Sequence, residues 1–305
     1  MVLVGHQTRI SKTLGLAFAA VCALAATPDV AMASGWKDVG ASERIDSSGR
    51  LNMLSQRIAA STCNIEANVE PVISRGILAG SRDEVDRIIN AIEFGNARMK
   101  IIGAETRPAT LKFIHSYRKT WDETHGAIDA IYDNAGNQEA FELIERSNLD
   151  LNAAASYLTS EIAGQYSNPA ELVQADAIML DIAGRQRTRT QQMLKEACAI
   201  WSENTPDEAV KQLTATMQLY DVSLRALLDG MPDAGVKPAP TNAIKVKLET
   251  QLREWAEIKP MLDQVISGSA LSDPEKTDLY LRLNEALIQT NDTMSLYTKY
   301  SKHLF

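Results

Sequence analysis

Two stretches of the chain carry the same chemically capable residues at the same spacing. Residues 45–65 read IDSSGRLNMLSQRIAASTCNI, and residues 180–200 read LDIAGRQRTRTQQMLKEACAI. Set one over the other without a gap, at an offset of 135, they share Asp46/Asp181, Gly49/Gly184, Arg50/Arg185, Gln56/Gln191, Cys63/Cys198 and Ile65/Ile200. On a helix, positions i, i+4, i+7, i+11 and i+18 return to one face. From Ile45 these are Gly49, Asn52, Gln56 and Cys63; from Leu180 they are Gly184, Arg187, Gln191 and Cys198. A stripe that is polar in its middle reads as a helix–helix contact surface with a polar pocket in it. Glycine inside a helix costs ~1 kcal/mol relative to alanine, so Gly49 and Gly184 predict the close approach of another element.

Two such helices lying parallel across a pseudo-twofold axis would set like against like. Cys63 would meet Cys198, Gln56 would meet Gln191, and Asn52 would meet Arg187. A disulfide needs Cα atoms within ~7 Å, so a bridge at one end of the seam would fix the register of a pocket further along. The other reading of the two cysteines is a pair of buried free thiols. Arg50, Arg185 and Arg189 either contribute to the pocket or lie on the solvated surface in ion pairs. His115 and His125 lie ten apart on one predicted helix without metal-ligand spacing, and read as partly exposed bundle histidines. Trp121 and Trp255 read as core anchors, with ligand stacking as the second reading. No nucleophile–base constellation, phosphate loop or haem-attachment motif is legible, so neither an enzyme nor a cofactor or metal protein is expected.

The elements that must position these residues are helices. Strand signals are absent, and Ala, Leu, Glu, Gln, Arg and Met are abundant. Breakers predict eight segments: about 42–79 with Pro71 as a kink, 82–102 opened by Ser81 as N-cap, 109–134, 138–166, 170–203, one from about 205 to 229, 243–266 with Pro260 inside it, and 273–302. Trp121 and Trp255 repeat at nearly the offset of the motif. The expected fold is all-α: two tandem four-helix bundles, pseudo-twofold related, over residues 34–167 and 168–305.

The N-terminus reads as a cleaved signal peptide, residues 1–33. Basic Arg9 and Lys12 precede an apolar run from Thr13 to Ala26, and Ala31-Met32-Ala33 fits a cleavage site. The run is too short to span a bilayer, and no later stretch approaches ~20 apolar residues. Cys22 inside it offers lipidation as an alternative. A periplasmic protein that is not membrane-embedded is expected, in a compartment where disulfides persist. The net charge of −8 argues against a nucleic-acid or anionic-lipid partner. A small-anion site would have to be a local concentration of arginine.

The string GRxxxxxQ, with its neighbours in ERIDSSGRLNMLSQRIAAS and DIAGRQRTRTQQML, resembles the N-terminal sensor domain of type IV pili methyl-accepting chemotaxis transducers. It is also similar to the periplasmic sensor domain of nitrate/nitrite-responsive histidine kinases. The resemblance implies bundles that pair through the motif helices and hold a small anion, nitrate or nitrite, between them. It places the anion-holding arginine three residues after the motif glycine. That position is Arg187 in the second copy and Asn52 in the first, so one arginine and one amide would replace a symmetric pair. The implied partner is a membrane sensor kinase or chemotaxis transducer. The alternative is a ligand-free structural or protein-interaction module of a chemosensory or pilus-related system.

Overall fold

A computed structural model describes residues 40–134, 136–166, 174–202 and 206–302. The predicted signal peptide and the junction at 167/168 lie outside the described residues. Eight α-helices follow one another among them: α1 (Ala41–Glu66), α2 (Pro71–Phe94), α3 (Pro108–Asp133), α4 (Gln138–Tyr166), α5 (Gln174–Trp201), α6 (Pro206–Asp229), α7 (Asn242–Ile266) and α8 (Asp273–Ser301). The last six lie close to their predicted limits. None of the eight is long and apolar enough to cross a membrane.

The first two predicted segments are corrected. The chain breaks at residues 67–70, where Asn68 and Glu70 adopt left-handed conformations with φ of 55° and 45°. Pro71 follows as the first residue of α2, because proline lacks the N–H that a continuing helix needs and clashes with the preceding turn. Gly80 and Ser81 do not end a helix. The Ser81 hydroxyl donates back to the Ile77 carbonyl at 2.7 Å, so Ser81 sits inside α2 instead of capping it.

Helices α1–α4 close one bundle and α5–α8 the other, each ringed so that its first helix packs on its second and fourth. Each bundle has its own apolar core. The repeat extends into details that carry no chemistry. Trp121 Nε1 donates to Asp86 at 2.7 Å, and Trp255 Nε1 donates to Asp221 at 2.9 Å. After α2 a single 3-10 turn, Ala97–Met99, is clasped by an Asn96–Ile101 bridge. After α6 the turn Pro232–Ala234 is clasped by Met231–Val236. Gly95 and Gly230, with φ of 83° and 86°, open the two turns.

The two bundles join along α1 and α5. Helix α1 therefore has neighbours on three sides, α2, α4 and α5, and buries polar as well as apolar residues. It accommodates them by bonding them to its own backbone: Ser55 Oγ donates to the Asn52 carbonyl at 2.8 Å, and Thr62 Oγ1 to the Ile58 carbonyl at 2.8 Å. Helix α8 is stitched to the first bundle at both ends. Ser74 Oγ donates to the Tyr280 hydroxyl at 3.0 Å, and Lys302 pairs with Glu43.

Candidate functional site

Cys63 and Cys198 form a disulfide, with Cα atoms 6.2 Å apart. A second link crosses the same seam: Arg187 Nη2 donates to Asp46 Oδ1 at 2.6 Å. Numbers rise together from Asp46 to Cys63 and from Arg187 to Cys198, so α1 and α5 run parallel. With cysteine opposite cysteine, the common offset sets the Arg187 backbone across from that of Asn52. The long side chain leans toward the N-terminus of its helix, as helical side chains do. Its guanidinium therefore reaches Asp46, well over a turn earlier.

Asn52 does not join Arg187. Its amide donates to Thr159 Oγ1 at 3.1 Å and accepts from Ser156 Oγ at 2.7 Å, both on α4. The repeat explains this difference. Positions 156 and 159 of α4 correspond to Asn291 and Met294 of α8. In the first copy the short amide zips α1 to α4. In the second copy Arg187 faces Asn291 and Met294, and a cleft of about 440 Å³ opens there.

This cleft lies under α8, between the N-terminal halves of α1 and α5. Arg187 and Arg50 line it, and so do Lys100, Lys299 and Lys302; the carboxylates facing them are Glu43 and Asp46. Five cations against two carboxylates make a positive pocket on an acidic protein. Lys302 is taken by Glu43, and Arg50 by Glu84 of α2. Lys100 and Lys299 have no ion pair among the described residues. Burial, and then the charge of Arg187, hold the Arg50 guanidinium below its ordinary pKa, while Asp46 acts in the other direction. The two guanidiniums are thus close enough to repel, and an anion between them would relieve that repulsion.

Arg187 is the most enclosed of these charges, 3% exposed. Its Nε is out of solvent and has no hydrogen-bond partner, so the fork keeps donors beyond the one given to Asp46. Gly184 lies beside the Arg187 side chain without crowding it. A Cβ there would stand 3.7 Å from Arg187 Nη2, and one at Gly49 would meet nothing within 4 Å. The expected close approach of another element at these glycines is therefore corrected: the positions are open.

The remaining expected residues lie elsewhere. Gln56 and Gln191 are buried, 3% and 1% exposed, but neither lines the cleft; the Gln191 amide and the Gln56 Oε1 have no hydrogen-bond partner. Arg185 pairs with Asp181 on its own helix at 2.8 Å, largely in solvent. Arg189 donates to Gln186 and to Ser223 of α6. His115 lies 3.3 Å from Glu93, and His125 lies 3.3 Å from both Asp86 and Asp129. Lys100, Asn291, Lys299 and Lys302 were not anticipated as cleft residues. The correspondence of Asn291 with Ser156 at the motif's offset was the available signal for the first of the α8 residues.

Parallel motif helices joined by a disulfide, with an arginine-lined cleft beside the seam, define a tandem helical-bundle domain. The chain matches PilJ, the type IV pili methyl-accepting chemotaxis transducer N-terminal domain, twice, over residues 35–147 and 172–278, and it belongs to that family. No curated protein matches it.

Proposed function

We propose that this protein is a periplasmic sensing module that holds a small oxyanion, of the nitrate or nitrite kind, in the cleft between α1, α5 and α8. Arg187 is the principal ligand and Arg50 the second. The observation that carries this reading is the buried Arg187 fork, which faces the cleft with donor capacity unspent beside another guanidinium. Charge-assisted forks of this kind suit planar oxyanions. Asn52 is not part of the site in this proposal, so binding is one-sided. The disulfide fits an oxidising compartment, and family membership suggests a membrane-embedded chemosensory partner, a transducer or a sensor kinase, to carry the signal.

A second reading also has support. Asp46 already occupies Arg187, and Asn52 is sealed against α4, so the seam can serve as a ligand-free joint between bundles in an interaction module.

A thermal-shift series with nitrate, nitrite, sulfate, phosphate and chloride at matched ionic strength separates the two. At ~100 times its dissociation constant a ligand stabilises by ~2.7 kcal/mol, which moves the midpoint of a protein this size by a few degrees. A selective shift that Arg187→Ala removes supports the sensor. A flat response to every anion supports the joint.

A further inference from the structure

Arg57 of α1 carries a charge that no ion pair answers among the described residues. Its Nε is out of solvent without a hydrogen-bond partner, and no carboxylate, carbonyl or hydroxyl among the described residues bonds its guanidinium. Arg50 and Arg87 are engaged, both pairing with Glu84, while Arg75 of α2 also holds its Nε out of solvent without a partner. Burial depresses the Arg57 pKa; Tyr280 acts in the other direction, and the like charge of Arg50 adds a smaller push down. A half-buried cation in that state gains from any counter-ion that reaches it. The matching position of the second copy is Gln192, so the charge belongs to the first copy alone.

Arg57 lines a trough of about 400 Å³ between α1 and α2, separate from the cleft at Arg187 but adjoining it through Arg50 and Asn291. Gly76 and Gly80, one turn apart on α2, form its open side; a Cβ on either would meet nothing within 4 Å. Leu54, Ile73 and Ile77 give it apolar walls, and Ile73 is 43% exposed. Asn291 has no hydrogen bond among the described residues and overhangs the trough from α8. Glu84 lines it too, but two arginines already outweigh the charge of that carboxylate, so it offers a ligand ammonium group no net attraction.

We propose that this trough is a second binding site, for a small monocarboxylate with an aliphatic body. The carboxylate pairs with Arg57 and takes a hydrogen bond from the Asn291 amide. The hydrocarbon lies on Ile73 and Ile77 in the space that Gly76 and Gly80 leave open. The proposal stands apart from the oxyanion reading, because the two sites have different arginines as their principal charges.

The test is a calorimetric titration of the mature protein with isovalerate, with isovaleramide as the neutral control and leucine as the zwitterionic one. Wild-type protein and the variants Arg57→Gln, Gly80→Leu and Arg187→Ala are compared. The proposal expects saturable binding of isovalerate but not of isovaleramide or leucine. Arg57→Gln should weaken it by about tenfold or more, the worth of one charge-assisted contact. Gly80→Leu fills the trough without burdening the helix and should abolish binding, while Arg187→Ala should leave it unchanged. Absence of isovalerate binding, equal binding by Arg57→Gln and Gly80→Leu, or loss in Arg187→Ala alone would overturn the proposal.

Discussion

Arg187 on α5 and Asp46 on α1 meet across the seam of the two bundles, Nη2 to Oδ1 at 2.6 Å, with the arginine side chain 4% exposed and the aspartate 29%. The carboxylate supplies the counter-charge that the enclosed guanidinium needs. Asp46→Ala should therefore destabilise the protein by about 2 kcal/mol, below the full cost of stranding a buried charge because Asp46 keeps contact with water. Denaturant unfolding in chloride-free buffer measures it. If an anion takes the carboxylate's place, added nitrate should restore more stability to Asp46→Ala than to wild type.

The disulfide closes a separation of 135 residues. In the chain-entropy picture such a loop is worth up to about 5 kcal/mol. The double variant Cys63→Ser/Cys198→Ser should lose a large part of that, and reduced wild-type protein should match it in equilibrium unfolding. A double variant as stable as oxidised wild type would show that the seam holds without its bridge.

Glu196 of α5 is 1% exposed and accepts from Gln192 at 2.8 Å and from Thr216 at 3.2 Å. Burial pushes its carboxyl up to about 7, against the opposing pull of Gln192, Lys195 and Thr216. An unfolded chain releases this proton near pH 4.3. Between those values the folded protein holds more protons than the unfolded one, so stability falls as pH rises through the window and levels off above it. Across the whole window the loss is about 4 kcal/mol. Glu196→Gln should flatten the fall when unfolding midpoints are compared at pH 5 and pH 8.

Arg44, 1% exposed, ties the start of α1 to the last turn of α2 through the Ile92 carbonyl at 2.7 Å and to the segment after it through the Gly103 carbonyl at 2.6 Å. Its counterpart in the second copy is Met179, fully buried in the other core. Arg44→Met copies that residue but leaves two carbonyls without a charged donor. It should cost about 3 kcal/mol, read by chemical denaturation.

Six of the eight helices were legible because their ends carry punctuation: Pro at the start of α3, Asp229-Gly230 after α6, and Ser272 with Glu275 opening α8. The break before Pro71 was hidden because Asn68 and Glu70 turn the chain in left-handed conformations that non-glycine residues seldom adopt. Gly80 looked like a helix end, but glycine inside a helix is a tolerable cost. The seam was readable from the cysteine offset. The Asn52–Arg187 pairing failed because a stripe gives backbone register, while a long arginine ends its reach more than a turn away. The α8 lining was invisible in the motif itself, since nothing local records which helix roofs a cleft.

Titration calorimetry with nitrate on wild type, Asp46→Asn and Arg187→Ala tests the oxyanion site most directly. Nitrate should bind wild-type protein at one site and bind Asp46→Asn more tightly, because the competing carboxylate is gone and the guanidinium remains. Arg187→Ala should give no heat of binding. Undiminished binding in Arg187→Ala, or no binding to any of the three, would contradict a site built on Arg187.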